Sequence, residues 1–208
     1  MTLKRGLQSA FGVLVILRLL SLWIGERLLG ARAFSSASES IARIPGLRGV
    51  YQRQAFYRRT LQHCGQDVYF GWHSVFSMRQ ARVGDRVYIG RFCSVGFAEI
   101  GEETMLADHV QILSGGHEHT RGDRDDAGTM HGQSQQYERV RVGRGVWIGA
   151  GAVVMADVGE GAIVGAGAVV SRPIPAHSIA VGVPARVIKT LPRGGQAETP
   201  TEREPITR

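Results

Sequence analysis

Through the middle of the chain an aliphatic residue recurs every six positions and is almost always followed by glycine: Val83-Gly84, Ile89-Gly90, Val95-Gly96, then, one residue early, Ile100-Gly101 and Leu106-Ala107. The series resumes as Val142-Gly143, Ile148-Gly149, Val158-Gly159 and Val164-Gly165 and ends at Val170. Eight of these nine second positions are glycine, where 28 Gly in 208 residues would give about one by chance. The fourth position after each of these aliphatic residues except Val95, where the register shortens by one, is small or β-branched: Val87, Cys93, Thr104, Val110, Val146, Ala152, Ala162, Ala168. One large and one small inward residue per six fits short flat strands joined by tight corners, with glycine supplying unusual φ and close backbone approach there. A period of six is the signature of a β-helix. At three hexads per coil, and with weaker hexads from Phe70 and Phe76, residues 66–114 and 139–183 predict roughly five coils stacked at about 4.8 Å. Cys93 occupies an inward small position and reads as a core residue, not a nucleophile.

Upstream, an apolar run from Phe11 to Ile24 follows Lys4 and Arg5 and is interrupted by Arg18. It is shorter than the about 20 apolar residues that a spanning helix needs, and no small-residue cleavage site follows it. The run predicts a helix lying in a membrane interface; the alternative is a helix docked on the protein's own core. Residues 31–40 are small and polar and read as a linker. Next, Arg43, Arg48, Arg53, Arg58 and Arg59 interleave with Tyr51, Phe56 and Tyr57 at partly helical spacing. That stretch suits an anionic surface, or equally a solvated helix face leading into the domain. The expected organisation is a helical, membrane-interfacial extension over 1–60, a β-helix domain over 61–190 with a loop at 114–138, and a disordered tail over 191–208, which has almost no apolar content.

Length and composition narrow the classes. A chain of 208 residues excludes a large two-domain enzyme, and 43% apolar with 21% charged residues supports a folded core. The net charge of +7 suits an anionic partner. Nucleic acid is disfavoured because no recognisable binding module accompanies the charge. Two cysteines, Cys64 and Cys93, without metal-ligand spacing point to a reducing compartment and hence a cytoplasmic protein, peripheral on the inner face of the membrane if the N-terminal helix binds lipid.

The hexads, the segment Val146-Trp147-Ile148-Gly149-Ala150-Gly151-Ala152-Val153-Val154 and the exit Ala180-Val181-Gly182-Val183-Pro184-Ala185-Arg186-Val187-Ile188-Lys189 together resemble the left-handed parallel β-helix acyltransferases. This hexapeptide-repeat family includes maltose, galactoside and serine acetyltransferases and those of exopolysaccharide assembly. The resemblance implies an all-β core, a left-handed parallel β-helix. It also implies an O-acetyltransferase that moves acetyl from acetyl-CoA to a saccharide hydroxyl, without a metal.

The hexads break after Ile112, at Leu113-Ser114-Gly115-Gly116-His117-Glu118-His119-Thr120, and resume only beyond Tyr137. Loops of this length in compact domains are usually functional, and by the resemblance the loop carries the general base at its start. That base is His117, with His119 as the alternative and Glu118 or Asp123 as an orienting carboxylate. An imidazole with an ordinary pKa near 6.5 suits proton removal from a hydroxyl at neutral pH, and Gly115 or Gly116 would offer N–H donors to the oxyanion.

Coenzyme A in the family lies along the outside of the late coils, between neighbouring subunits of a trimer. The match puts Trp147, Gly149, Ala150, Ala166 and Gly167 along the pantetheine arm, and Ser171, Arg172, Arg186 and Lys189 at the nucleotide phosphates. Gly90-Arg91-Phe92-Cys93-Ser94 lacks the asparagine with which sugar acetyltransferases often hold the acceptor, which leaves the acceptor open. A lipid-linked or exopolysaccharide sugar is suggested by the N-terminal run. Two other readings stand beside this one: a γ-carbonic-anhydrase-like zinc enzyme drawing on His73, His109, His117, His119 and His131, although the family's ligand spacing is absent, and a non-enzymatic β-helical scaffold.

Overall fold

The computed structural model describes residues 3–30, 32–114 and 137–192, with side chains in the first helix from Val15 to Leu28. Three helices come first: α1 (Leu3–Leu29), α2 (Arg32–Ala42) and α3 (Gly46–Thr60). The β-helix follows, one strand on each of three faces per coil. Coil one holds β1 (His63–Cys64), β2 (Tyr69–Phe70) and β3 (Val75–Phe76), and coil two β4 (Arg82–Val83), β5 (Tyr88–Ile89) and β6 (Ser94–Val95). Coil three holds β7 (Ala98–Ile100), β8 (Met105–Leu106) and β9 (Gln111–Ile112), and coil four β10 (Val140–Val142), β11 (Trp147–Ile148) and β12 (Val153–Val154). In coil five, Val158 bridges to Val142 before β13 (Ile163–Val164) and β14 (Val169–Val170). A partial sixth turn adds Ile174 and β15 (Ser178–Val181), and β16 (Arg186–Thr190) folds back antiparallel on β15.

Strands stack in register into three parallel sheets, β1-β4-β7-β10 on the first face, β2-β5-β8-β11-β13-β15 (with β16) on the second and β3-β6-β9-β12-β14 on the third. This is the parallel β-helix of about five coils that the repeat predicted, left-handed as the resemblance implied. Its interior is built as the hexads require. Phe70, Ile89, Leu106, Ile148, Val164 and Ala180 form one buried column, and the small positions Val87, Cys93, Thr104, Val110, Val146, Ala152, Ala162 and Ala168, at the corners on either side of it, are all buried too. Burial pushes the Cys93 thiol up to about 11, consistent with a core residue.

The glycines divide their work differently from the expectation. The glycine directly after the aliphatic residue is there for close approach: a Cβ on Gly149 would lie 2.4 Å from the Ala166 amide nitrogen of the next coil. The left-handed backbone occurs two residues later, at Asp67, His73, Arg86, Phe92, Glu103 and His109 in the early coils and at Gly145, Gly151, Gly161 and Gly167 in the late ones.

The N-terminal region also departs from the sequence reading. Residues 31–40, read as a linker, lie mostly in α2, whose Ala33, Phe34, Ser38, Ile41 and Ala42 are buried. Alanine and serine disguise an amphipathic helix here, because one face needs only small side chains to sit against its neighbours. The basic-aromatic stretch is divided between two faces: Arg43, Arg48, Arg58 and Arg59 are exposed, as a solvated helix face requires, whereas Arg53, Phe56 and Tyr57 repeat at helical spacing and form the buried face of α3, exposed by 1% or less. Arg53 donates to the backbone oxygens of Phe70 (3.0 Å) and Ile44 (2.7 Å). The Tyr57 hydroxyl meets Ser38 Oγ at 2.8 Å, and Ser38 Oγ accepts the Phe76 amide at 2.9 Å. Helices α2 and α3 therefore cap the open end of coil one.

Candidate functional site

Within every coil the inward aliphatic residues are six apart from the first face to the second and from the second to the third, as in Val83, Ile89, Val95 or Val142, Ile148, Val154. All length variation falls at the third corner, between the third face and the first. The step there runs from Phe76 to Val83, Val95 to Ile100, Ile112 to Val142, Val154 to Val158 and Val170 to Ile174. The long excursion thus leaves β9 and returns to β10 at the one corner where the fold tolerates any length. Its first described residue is fixed: Ser114 Oγ accepts the Phe97 amide at 3.0 Å, and Leu113 donates to the Val154 carbonyl at 2.9 Å. Residues 115–136, including His117, Glu118, His119, Asp123 and His131, lie outside the described residues.

Three hollows surround that departure point. One of about 300 Å³ runs between Ser114 and Tyr137, with Ser77, Met78, Ser94 and Gly96 on its walls. One of about 770 Å³ joins it at Tyr137 and extends over Phe97 and Arg79 to Glu26, Arg32 and Phe34 of the helices. The third, of about 590 Å³, follows the same corner along coils four and five, lined by Arg139, Arg141, Asp157, Ser171 and Arg172. Sequence reasoning missed Arg139 and Arg141. The signal was their position, immediately before Val142 where the hexads resume. Arg139 is held over the Phe97 ring at 4.5 Å and bonded to Glu99 (3.4 Å) and Gln62 (3.0 Å), so a cation stands fixed at the mouth of the excursion.

The remaining donor-site candidates lie elsewhere on the prism. On the outer surface of the second face, strand register aligns Tyr69, Tyr88, Met105, Trp147, Ile163, Ile179 and Lys189 in one column. Tyr88, Met105 and Trp147 are exposed, Trp147 by 54%. Beside Trp147 is the corner between the second and third faces. In coils one to three it carries a stack of rings, His73 on Phe92 (5.4 Å) and Phe92 on His109 (4.9 Å). In coils four and five Gly151 and Gly167 take the equivalent places, and a Cβ on either would meet nothing within 4 Å.

The ring column therefore ends in a bare ledge formed by Gly149, Ala150, Ala166 and Gly167, closed by the Gly167 N–H bond to the Ala150 oxygen at 2.8 Å. Below the ledge, Arg91 binds Asp108 at 2.6 Å and holds its carboxyl below the usual range. Arg186 and Lys189 stand on β16 above the second face. The structure thus brings Trp147, Gly149, Ala150, Ala166, Gly167, Arg186 and Lys189 to one side, and Ser171 and Arg172 to the excursion's corner. Among the described residues no group of three His, Cys, Asp or Glu side chains could hold a metal ion.

Residues 139–172 match the family described as bacterial transferase hexapeptide (six repeats). Serine acetyltransferase of Salmonella typhimurium is 39% identical over 97 residues, covering 43% of this chain and 30% of that protein. Nodulation protein L of Rhizobium leguminosarum bv. viciae is 43% identical over 111 residues, covering 51% of this chain and 55% of that protein. The chain thus spans between about a third and just over half the length of these curated relatives. Among solved structures, a maltose O-acetyltransferase from Clostridium difficile 630 superposes with a TM-score of 0.69 at 25% identity, over 81% of this chain and 90% of that one. Coils four and five thus carry the match to the bacterial transferase hexapeptide model, and the β-helix they complete has the fold of the maltose O-acetyltransferase it superposes on.

Proposed function

We propose that the protein is an O-acetyltransferase that transfers acetyl from acetyl-CoA to a saccharide hydroxyl, working as a homotrimer. The observation that carries this reading is the one long excursion, from Ile112 to Val142, among third-corner steps that are otherwise short. That excursion bears His117 and His119, and the corner it leaves from is flanked by hollows with fixed cations. The names of two similar proteins, serine acetyltransferase and maltose O-acetyltransferase, support acetyl transfer, and the second supports oxygen as the acceptor atom.

In the proposed reaction His117 takes the proton of the acceptor hydroxyl as its oxygen attacks the thioester carbonyl. The tetrahedral oxyanion collapses, the C–S bond breaks, and the leaving thiolate of coenzyme A takes the proton from the imidazolium. His119 is the alternative base and Glu118 the orienting carboxylate. The ledge at Gly149, Ala150, Ala166 and Gly167 accepts the pantetheine arm because no side chain stands in its way, with Trp147 beside it. Arg186 and Lys189 on one side, and Ser171 and Arg172 on the other, receive the phosphates.

The ledge and the excursion's corner are different edges of a three-sided prism. A site using both therefore needs the corner of one chain against the second face of another. The exposed column of Tyr88, Met105 and Trp147 supplies the apolar surface for that association. Transfer of radiolabelled acetyl from acetyl-CoA to a panel of mono- and oligosaccharides tests the reading. Parent protein is expected to acetylate at least one sugar and His117→Ala to lose at least about a hundredfold in rate. A His117→Ala and His119→Ala double variant as fast as the parent would remove the general base from the account.

A further inference from the structure

Over its described side chains, residues 15–28, the first helix has two apolar sides, and only one is used. Val15 and Leu22 are buried against α2 and α3, with Leu19 packed beside them. On the opposite side Ile16, Leu17, Leu20, Trp23, Ile24 and Leu28 are exposed by between 48% and 77%. At about 100° per residue these six fall within a stripe roughly 140° wide, centred opposite the packed side. Large apolar side chains are not left in water in such an array without a partner.

The charges around the stripe specify that partner. Arg27 lies within it, its guanidinium 5.0 Å from the centre of the Trp23 ring, an arrangement in which an apolar body enters a hydrocarbon boundary while a cation stays at its polar edge. The one carboxylate of α1, Glu26, is turned away and bound by Arg79 at 2.7 and 2.9 Å. Arg32 is exposed just past the helix's C-terminal end. The stripe thus presents apolar groups and positive charge, and the helix's one carboxylate faces away from it, neutralised by Arg79.

A spanning arrangement does not fit, because no helix of the described residues is long and apolar enough to cross a membrane and one side of α1 is already covered by protein. We infer that α1 lies in the plane of an anionic lipid surface, its outward stripe sunk among the acyl chains and its arginines among the headgroups. The 770 Å³ hollow is lined by Glu26 and Arg32 at the end of this helix and by Tyr137 at the excursion's return. Docking therefore holds the excursion's corner close to the lipid surface, where a membrane-borne acceptor would be presented. The docking itself does not depend on the acetyltransferase reading.

The test is co-sedimentation of the full chain with sucrose-loaded vesicles of phosphatidylcholine, with and without phosphatidylglycerol. Deleting the helical region would uncover the end of coil one, so point variants on the exposed stripe are used: Leu17→Glu with Leu20→Glu, and separately Arg27→Glu. Both are expected to melt like the parent. The parent is expected to sediment with phosphatidylglycerol vesicles and much less with phosphatidylcholine alone. The double variant should bind at least about tenfold more weakly, and Arg27→Glu should lose the preference for anionic lipid. The inference is overturned if the parent ignores both vesicle types, or if binding is unchanged by the double substitution. It is also overturned if the stripe proves to join copies of the chain, seen as a larger particle that the double variant dissociates while no lipid is bound.

Discussion

Two glycines two residues apart should respond in opposite ways to substitution, because the fold needs them for different reasons. Gly143 follows an inward aliphatic residue, and a Cβ there would lie 2.5 Å from the Glu160 amide nitrogen and 2.7 Å from its Cα. Ordinary contact is about 3.5 Å, so Gly143→Ala demands a shift of about 1 Å between coils. The rungs cannot easily give it: Gly143 donates to the Val158 oxygen at 2.8 Å, and its own carbonyl accepts the Thr104 hydroxyl at 2.7 Å. Overpacking of this kind costs about 1–3 kcal/mol, a fall in Tm of about 2–12 °C for a chain of this size.

Gly145 has φ of +61° with nothing within 4 Å of its missing Cβ, and one and two coils earlier the same position is held by Glu103 and Arg86 in the same left-handed conformation. Asparagine tolerates that conformation, so Gly145→Asn should stay within about 0.5 kcal/mol of the parent. Thermal melts at matched protein concentration, backed by equilibrium denaturation, measure both. If Gly145→Asn destabilised as much as Gly143→Ala, the assignment of close approach to one glycine and backbone handedness to the other would be wrong.

Further predictions concern the cap, the corner charges and the thiols. Tyr57→Phe removes the buried hydroxyl shared with Ser38 (2.8 Å) and the Ser74 oxygen (3.3 Å), and should cost about 1–3 kcal/mol in a denaturant titration; an unchanged midpoint would mean that these bonds do not tie the cap down. Arg144 and Arg86 hold the Glu103 carboxyl below its ordinary range. Such a depressed carboxylate stabilises above its unfolded-state pKa and loses that contribution as pH falls through the folded value. The stability gap between parent and Glu103→Gln should therefore close on acidification, and a gap independent of pH would contradict the assignment. Burial raises both Cys64 and Cys93 to about 11, so a disulfide reagent at about pH 8 should leave Cys93 unmodified until the protein is denatured. Rapid native labelling at Cys93 would show that its coil opens.

The β-helix was readable because each hexad repeats one local solution: the inward aliphatic residue, the glycine under the next coil and the small side chain are all visible one residue at a time. The helices were not readable in the same way. In α2 the buried face is built from Ala33, Ser38 and Ala42 as well as Phe34 and Ile41, so composition mimics a linker. In α3 a buried arginine, Arg53, bonded to two carbonyl oxygens, looks like surface charge until the end of coil one is seen to need a cap.

The site was legible as residue types but not as an arrangement. Ser171 and Arg172 lie within a third-corner step, whereas Ala166 and Gly167 precede the third face, only a few residues away in sequence but on another edge of the prism. Counting the intervals between aliphatic residues would have separated them, since only third-corner steps depart from six. Arg141 holds the outward position before an inward aliphatic residue, as Glu99 and Arg82 do in the coils below, and Arg139 precedes the strand, so neither stands out by residue type alone.

The most direct measurement of the central claim is a thermal melt of the purified full chain with and without acetyl-CoA, which needs no knowledge of the acceptor. Saturation at about 100 times Kd stabilises a native state by about 2.7 kcal/mol, an increase in Tm of about 5–10 °C for a chain of this length. The account predicts such a rise, diminished in Arg186→Ala and Lys189→Ala. No rise at millimolar acetyl-CoA would contradict it.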